Sequence, residues 1–349
     1  MNSLKRISVL WPALCILYLS FAVAGDQNRV GTSGGQELLI PVGARGIGVG
    51  GSSLSYAQGV DAIYWNPAGL SLMNSSTEVT FSQLQYIADI GVTYGAIGVK
   101  AGSIGTIGVS IKSVQFGNIP VTTELQPDGT GETYSPTFMN IGLTYSNQWS
   151  DRVAFGFTAS LLSEQIRSSS ASAVTFSGGI QYLGLGLRGL NLGVAVRNVG
   201  SGLTFSGSNL LASATIAGAN RPASYLEVTT AAAELPTTIE VGLSYLAKFD
   251  AKSTLTISGS FQNNNFSDDE WKLGAEFCFE DLLFLRGGYT LAPTAGTDPL
   301  TGSNLYQYDY TLGVGVKVDL GGTAVMFDYG YRHELLFTAN NVFTVTLGF

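Results

Sequence analysis

Residues 308–320 read YDYTLGVGVKVDL, and apolar and polar side chains alternate along the whole stretch. Every even-numbered position from Tyr308 to Leu320 is apolar or aromatic, whereas the odd-numbered positions are aspartate, threonine, glycine or lysine. A period of two is that of a β-strand, whose successive side chains point to opposite faces of the sheet. The stretch therefore predicts a strand with one face suited to lipid and the other to water.

The same alternation recurs outward from this stretch and predicts fourteen strands. Leu255, Ile257 and Phe261, for example, alternate with threonine and serine. Most segments are long enough for a tilted membrane span, which needs ~9–11 residues. The predicted strands are 77–86, 90–100, 103–116, 137–148, 151–166, 172–184, 190–199, 236–248, 252–263, 269–280, 282–291, 307–319, 322–333 and 340–349.

The lengths of the connections favour a membrane barrel over a soluble β-sandwich. The turns after even-numbered strands are predicted to have no more than about five residues, and the long connections 117–136, 200–235 and 292–306 all follow odd-numbered strands. The other odd connections, near Ile87 and Arg167 among others, are predicted to have at least three residues. Bacterial barrels sort their loops in this way between two rims, and soluble sheets do not. The predicted fold is all-β, a transmembrane antiparallel β-barrel of about fourteen strands.

The composition agrees with this fold. Hydrophobic residues make up 45% of the chain and charged residues only 12%, which is about half the globular norm. Beyond residue 25 no apolar run is long enough for a spanning helix. The net charge is −8 and there is no basic cluster, which makes nucleic acid an unlikely partner.

The beginning of the chain has the pattern of an export signal. Lys5 and Arg6 precede the apolar run 7–21, and the small residues 22–24 offer a cleavage site before Gly25. We expect residues 1–24 to be a cleaved signal peptide and the mature protein to lie in the bacterial outer membrane. An uncleaved anchor is the alternative, but the run is shorter than the ~20 residues that a spanning helix needs.

The two cysteines suggest neither a lipid anchor nor a disulfide. Lipidation of Cys15 is disfavoured because the residue before it is Leu14, where a small one is expected. Cys15 would leave with the signal peptide, so Cys278 would remain alone in the mature chain and no intrachain disulfide could form.

Residues 25–76 do not alternate as strands do and carry the most distinctive motif. Residues 41–51 read PVGARGIGVGG, and residues 56–70 read YAQGVDAIYWNPAGL. This pair of stretches resembles the amino-terminal region of the PorV/PorQ family, which is related to the FadL-type outer-membrane transporters. Asp61 follows Gly59 and Val60 where relatives often carry two adjacent acids, so this chain departs from the family pattern there.

The resemblance implies that residues 25–76 form a hatch that closes the lumen of a barrel built from residues 77–349. We expect residues 52–64 to form a short helix capped by Ser52 or Ser53, and Arg45 to pair with Asp61 inside the lumen. The plug residues singled out by the motif are Gly43, Ala44, Arg45, Gly46, Gly48, Gly51, Asp61, Tyr64, Trp65, Asn66, Pro67 and Gly69.

The last predicted strand carries apolar residues at every second place, Phe343, Val345, Leu347 and Phe349. This pattern with its terminal aromatic residue resembles the signal that the bacterial barrel-assembly machinery recognises. The alternative is an ordinary edge strand, which would be an aggregation hazard unless the barrel closed.

No catalytic or metal-binding pattern stands out. Gly46, Gly48 and Gly51 satisfy G-x-G-x-x-G, but no βαβ unit surrounds them, so nucleotide binding is not expected. His333 is the one histidine, and no nucleophile motif accompanies it. The acidic run 268–270 favours a solvated loop over a cation site. We therefore expect no enzyme activity, no cofactor and no metal.

The connection 200–235 is too apolar to be merely solvated. It could contact a ligand or a partner as a lid, or it could pack on itself over the barrel mouth. Its apolar residues are Leu203, Phe205, Leu210, Leu211, Ile216, Tyr225 and Leu226.

Two functions follow from the resemblance. A PorV-like barrel would receive exported proteins as a partner of a type IX-like secretion system, and a FadL-like barrel would take up hydrophobic small molecules. A structural barrel without a passage is a third possibility. A continuous apolar path past Tyr64 and Trp65 would favour uptake, whereas a lumen filled by polar side chains would favour protein docking.

Overall fold

The alternating segments form fourteen antiparallel strands in the computed structural model, which describes residues 29–215, 222–293, 295–297 and 306–349. The predicted signal peptide 1–24, with Cys15 and Gly25, lies outside the described residues. The strands are β1 (Thr77–Gln85), β2 (Gly91–Lys100), β3 (Thr106–Gln115), β4 (Thr137–Ser150), β5 (Val153–Ile166), β6 (Ser169–Tyr182), β7 (Leu190–Gly200), β8 (Thr238–Lys248), β9 (Ser253–Asn264), β10 (Glu270–Phe279), β11 (Leu283–Leu291), β12 (Tyr308–Leu320), β13 (Thr323–Glu334) and β14 (Asn340–Gly348).

Each strand pairs with its neighbours in sequence, and the sheet closes on itself. The seam joins β1 to β14 in a continuous register, from Glu78 opposite Gly348 to Gln85 opposite Asn341. Closure leaves no long unpaired edge. The predicted fold class, an antiparallel barrel of about fourteen strands, is confirmed.

The period of two separates an outer from an inner face. In β12, Leu312 and Val314 are exposed on the outside, whereas Thr311 and Gly313 are buried toward the lumen. The outward residues of the other strands form an apolar belt of the same kind, as lipid-facing strands require. No helix of the described ranges is long and apolar enough to cross a membrane.

The connections sort between two rims, with two exceptions to the predicted lengths. The rim that carries the connections after odd-numbered strands, called here the long-loop rim, holds 116–136, 201–237 and 292–307. The turn between β6 and β7 is longer than predicted, because β6 ends at Tyr182. The hairpin between β5 and β6 is shorter, since Arg167 adopts a φ of 55° and allows a two-residue turn with Ser168.

Residues 29–76 lie inside the barrel and form the hatch. They contain the short helices α1 (Ala44–Gly48) and α2 (Ala62–Trp65), with 3₁₀ turns at Gln36–Leu39, Ser52–Ser55, Gly59–Asp61 and Pro67–Leu72. The predicted single helix over 52–64 is wrong, because Gln58 is extended and Gly59 has a left-handed φ of 68°. The main hydrophobic core lies between the hatch and the inner wall.

Several short strands lie at the long-loop rim. Leu211–Ala214 pairs with Ser224–Glu227 to form a hairpin, and Ile119–Pro120 pairs with Thr133–Tyr134. Ser206–Gly207 pairs with the first residues of β6, beyond the end of β7.

Candidate functional site

The glycines of the hatch motif allow backbone and rings to approach closely. A Cβ atom on Gly46 would lie 2.3 Å from Nε1 of Trp65, and one on Gly69 would lie 1.9 Å from the carbonyl oxygen of Ala57. Gly48 packs against the backbone of β12, where a Cβ would lie 3.1 Å from the Cα of Gly313. Gly46 and Gly69 have no room for a side chain, and at Gly48 an added Cβ would make a tight contact with the wall.

Gly43 and Gly51 serve a different purpose. They precede α1 and the 3₁₀ turn Ser52–Ser55 with φ values of 81° and 77°, a region that residues with a Cβ rarely adopt. Ala44, which follows Gly43, donates its backbone N–H to Oγ1 of Thr344 over 2.9 Å. The glycines therefore set the entry angles of the short helices against the wall.

Arg45 ties the hatch to the wall, but through a different partner from the one predicted. Its Nη2 lies 2.8 Å from Oε1 of Glu276 on β10, and the Arg286 Nε lies 2.6 Å from the other oxygen of the same carboxylate. Arg286 also pairs with Asp328 on β13. The predicted pair between Arg45 and Asp61 is wrong, because the guanidinium points across the lumen to β10.

Asp61 lies near this network without an ion pair of its own within the described residues. Loss of hydration, together with the carboxylate of Asp328, raises the pKa of Asp61 to about 6. Burial disfavours the charged form of a carboxyl group, and a nearby carboxylate adds to the effect.

Asn66 is fully buried and joins two hatch segments to the wall. Its Nδ2 donates to the carbonyls of Leu54 at 3.0 Å and Ile180 at 3.1 Å, while its Oδ1 accepts the backbone N–H of Ala68. Asn66 is the N-cap of the turn Pro67–Leu72, with Pro67 in the first position. The N-P-A-G stretch is therefore a cap that also holds the hatch in place.

Above the hatch lies a cavity of about 590 Å³ that opens toward the long-loop rim. This volume is within the range of small-molecule sites in proteins. Its floor is made of hatch residues, among them 36–41, Ile63, Tyr64 and Trp65. The structure thus brings together Tyr64 and Trp65, predicted as plug residues, beneath a space large enough for a ligand.

Tyr64 is the central residue of the floor. Its hydroxyl donates to the carbonyl of Leu39 over 3.2 Å, and its ring packs edge-on against Trp65 with centroids 5.1 Å apart. The Nζ of Lys112 and the Cζ of Arg197 lie 5.1 and 5.6 Å from the centroid of its ring. Burial raises the pKa of Tyr64 to about 12, so the phenol stays neutral.

The cavity wall formed by β2, β3, β4 and the connections beside them is largely apolar. Ile90, Val114, Phe116 and Phe138 line it, and the rings of Phe116 and Phe138 meet edge-on with centroids 4.8 Å apart. One row closer to the floor, Lys112 turns to the hatch and donates its Nζ to the carbonyl of Ile40 over 2.6 Å.

The opposite wall is polar and internally hydrogen-bonded. Arg197 on β7 donates its Nη2 to Glu240 and to Gln262, each over 2.8 Å. Lys272 on β10 donates to the same Gln262 oxygen and pairs with Glu270 over 3.5 Å. The two basic residues of this wall are thus compensated by Glu240 and Glu270. Arg197, Lys272 and Glu270 still border the cavity.

Of these walls the sequence singled out Glu270 alone, as part of the acidic run 268–270 that was expected to form a solvated loop. Lys112, Arg197 and Lys272 occupy inward positions of the predicted strands, as ordinary lumen residues do. The sequence did carry a signal, since basic side chains at inward positions of several strands concentrate positive charge in one lumen. It could not show that these side chains lie at the same height along the barrel, because that height depends on the register of the strands.

The predicted lid residues divide into two groups. Leu203 is buried in a cluster with Leu38 of the hatch, Leu162 and Leu235, and Phe205 packs against it. Leu211 and Tyr225, by contrast, are exposed on the rim hairpin, next to a half-buried Leu210. Ile216 lies outside the described residues.

The remaining predicted positions lie away from the cavity. Phe343, Val345, Leu347 and Phe349 share the outward face of β14 and its end. His333 contacts Asp309 over 2.7 Å and stacks on Tyr310. Asp269 is buried and accepts hydrogen bonds from Asn263 and Asn264, so the expected solvated loop is wrong there. Within the described ranges no three potential ligands form a metal-binding group.

Comparisons with known proteins identify the fold. No family model matches the chain, and no curated protein matches it in sequence. Among solved structures, the CymD monoaromatic hydrocarbon channel superposes with a TM-score of 0.56 at 12% identity, covering 89% of this chain and 98% of that one.

Two toluene transporters give similar values. TbuX of Ralstonia pickettii has a TM-score of 0.56 at 13% identity, covering 88% of this chain and 98% of its own. TodX of Pseudomonas putida has a TM-score of 0.55 at 12% identity, covering 87% and 96%. The chain therefore has the same fold as these three channels, and the comparisons do not show the resemblance to the PorV/PorQ family.

Proposed function

We propose that the protein is an integral barrel of the bacterial outer membrane that admits hydrophobic small molecules through its lumen, and that it is not an enzyme. The observation that carries this proposal is the cavity above Tyr64 and Trp65, which opens to the long-loop rim and has an apolar wall. The apolar belt and the fold shared with three hydrocarbon channels support it.

The continuous apolar path past Tyr64 and Trp65 that would favour uptake is not present, because the cavity ends at these residues and the lumen beyond them is polar. On that criterion alone the lumen favours protein docking. Beyond Trp65 the lumen holds the network of Arg45, Glu276, Arg286 and Asp328, together with closely packed hatch glycines. A hydrophobic molecule that leaves the cavity needs a new opening, because charged side chains in a buried network exclude it. We propose that a shift of the hatch provides this opening; a gap in the barrel wall is the alternative.

Uptake of radiolabelled toluene tests the proposal. The protein would be expressed in a bacterial host that has an outer membrane but no hydrocarbon channels. The accumulation of toluene would be compared with that in cells carrying the empty vector. Faster accumulation supports passage through this barrel. Equal accumulation, with the folded barrel verified in the membrane, would overturn the proposal and favour a structural barrel.

A second candidate function, the PorV-like reception of exported proteins, is favoured by the hairpin at the long-loop rim. Tyr225 is 75% exposed there, and Leu211 and Leu226 lie beside it with about half of their surface free. Exposed aromatic and aliphatic groups at a rim suit a protein partner. Affinity purification from native membrane with mass spectrometry would recover secretion components or cargo if this function holds, and bound apolar molecules alone if it does not.

We also propose that the barrel-assembly machinery recognises β14. Its outward residues Phe343, Val345 and Leu347 present alternating apolar side chains until the strand pairs with β1. Replacing Phe343 by serine should lower the folded fraction in the outer membrane, measured by heat-dependent gel mobility. Replacing the exposed loop residue Phe337 by serine should leave that fraction unchanged.

A further inference from the structure

Toward the long-loop rim the two sides of the cavity differ in chemistry, whereas closer to the floor the β2–β4 side also carries the polar residues Ser110, Lys112 and Asn140. Ile90, Val114, Phe116 and Phe138 supply the aliphatic and phenyl groups of the wall, and all four belong to the β2–β4 side. Among the described lining residues from β5 to β13 there is no aliphatic or phenyl side chain. Toward that rim the cavity thus has one hydrocarbon wall and one hydrogen-bonding wall that face each other.

The polar wall is extended. Arg197, Gln262, Lys272 and Thr290 border the cavity from β7, β9, β10 and β11. Adjacent strands lie ~4.8 Å apart, so the four spacings from β7 to β11 cover roughly 19 Å of the circumference. A single head group at the end of an alkyl chain contacts only one part of such a wall, whereas the remaining polar groups would face hydrocarbon, which is unfavourable.

The polar wall also has hydrogen-bonding capacity left. Arg197 is 8% exposed. Its Nη2 is hydrogen-bonded to Glu240 and Gln262, but its Nε has no hydrogen-bond partner among the described residues. On the floor, Glu37 is 6% exposed and its Oε1 is likewise unpartnered. Buried polar atoms are normally hydrogen-bonded. Both atoms are closed off from the cavity as the side chains stand, so a ligand would satisfy either of them only after that side chain had turned toward the cavity.

From this geometry we propose that the cavity binds a facially amphipathic molecule, a rigid polycyclic skeleton of the sterol type with hydroxyl groups along one face and hydrocarbon on the other. The hydroxyl face lies against Arg197 and Gln262, and the hydrocarbon face lies against Val114 and Phe138. This inference rests on the proposed function, because it names the class of molecule that the same cavity takes up.

A pair of epimeric ligands tests facial recognition directly. Chenodeoxycholate and ursodeoxycholate share every atom and differ only in the ring face that one hydroxyl occupies. Their binding to the full-length barrel in lipid nanodiscs would be measured by calorimetry below micellar concentrations, with empty nanodiscs subtracted. We expect chenodeoxycholate, whose two hydroxyls share a face, to bind about fivefold to tenfold more tightly, as one additional hydrogen bond implies.

Two variants test whether the difference in affinity between the epimers comes from the two walls of the cavity. Thr290→Val removes a hydroxyl from the polar wall and Val114→Thr adds one to the apolar wall at nearly equal volume, and both should narrow the ratio between the epimers. Each variant would be checked for normal barrel assembly by heat-dependent gel mobility. An unchanged ratio in both assembled variants would overturn the assignment of the two faces.

Toluene, measured in the same way, separates this inference from the proposed function. If toluene binds and the epimers bind equally, facial recognition is wrong and uptake of hydrophobic molecules stands. If toluene and both epimers fail to bind, the proposed function and the inference fall together.

Discussion

The guanidinium group of Arg45 donates two hydrogen bonds to the carboxylate of Glu276, from Nε over 3.0 Å and from Nη2 over 2.8 Å. Arg45 belongs to the hatch and Glu276 to β10. The pair is therefore a direct electrostatic link between the hatch, which we propose to move, and the barrel wall. Glu276 is shared with Arg286, which has no exposed side-chain surface.

Replacing Arg45 by methionine should loosen the hatch without preventing barrel closure. Removing one partner of a buried ion pair costs up to about 3–5 kcal/mol, and the cost here should be smaller, because Arg286 still compensates Glu276 and the Arg45 side chain is 29% exposed. We expect protease to cleave the hatch of the Arg45→Met barrel faster than that of the wild type. Arg29→Met is the matched control, since the Arg29–Glu234 pair is much more exposed and such pairs contribute about 0–1 kcal/mol. Equal protection in all three proteins would contradict the prediction.

Replacing Gly46 by alanine should destabilise the hatch by overpacking. The new methyl group would meet the Trp65 ring at 2.3 Å, and insertion of a methyl group into a packed core costs about 1–3 kcal/mol. The midpoint of urea unfolding should fall accordingly. Gly178→Ala provides the control, because the nearest atom to its added Cβ is 3.8 Å away. A Gly46→Ala midpoint as high as that of Gly178→Ala would exclude close packing at Trp65.

The hatch segment 35–40 should dock more weakly as pH rises. Burial and the neighbouring Glu164 raise the pKa of Glu37 from 4.5 to about 8, in spite of Lys112 nearby. Between these two values the docked segment retains a proton that the undocked segment releases, so the contribution of Glu37 to docking stability is fully present below about pH 4.5 and is lost as the pH rises to about 8.

Hydrogen exchange of the segment 35–40, corrected for the intrinsic pH dependence of exchange, would measure this decline. The Glu37→Gln variant carries no titrating group at that position and should give a flat profile over the same window. A decline of equal size in the variant would assign the effect to another group, such as Glu164.

A cross-link between Ser52 and Ser258 should stop uptake. Their Oγ atoms lie 2.7 Å apart, one on the hatch and one on β9, which suits a disulfide between cysteines at these positions. In a Cys278→Ser background, the oxidised double variant should not accumulate toluene and the reduced form should. The single cysteine variants control for the substitutions themselves. Uptake by the oxidised form would mean that passage does not require the hatch to move at this contact.

The strands could be predicted from the sequence because their signal is local. The alternation in residues 308–320 places β12 within one residue of its observed bounds, and the predicted bounds of the other thirteen strands lie within about three residues of the observed ones. The lengths of the turns were less predictable. The two-residue hairpin at Arg167 depends on a left-handed φ that no local pattern demanded.

The contacts of the hatch could not be predicted in the same way. Arg45 and Asp61 are close in sequence and opposite in charge, yet Arg45 pairs with Glu276, which is 231 residues away. Irregular backbone has no period from which facing residues can be inferred. The two-sided cavity could not be predicted either, since it depends on the register that places Val114 opposite Phe138 and Arg197 opposite Thr238, within reach of Glu240 on the same strand.

The hatch runs through the barrel from one rim to the other. Arg29 contacts Glu234 and Asn265 at the long-loop rim, whereas Ser76 and Thr77 bond to the carbonyl of Phe349 at the opposite rim, beside the β1–β14 seam. The barrel is therefore a ring threaded by its own polypeptide. We expect the order of assembly to follow from this topology: the hatch must be enclosed while the sheet is still open, and the seam must form afterwards.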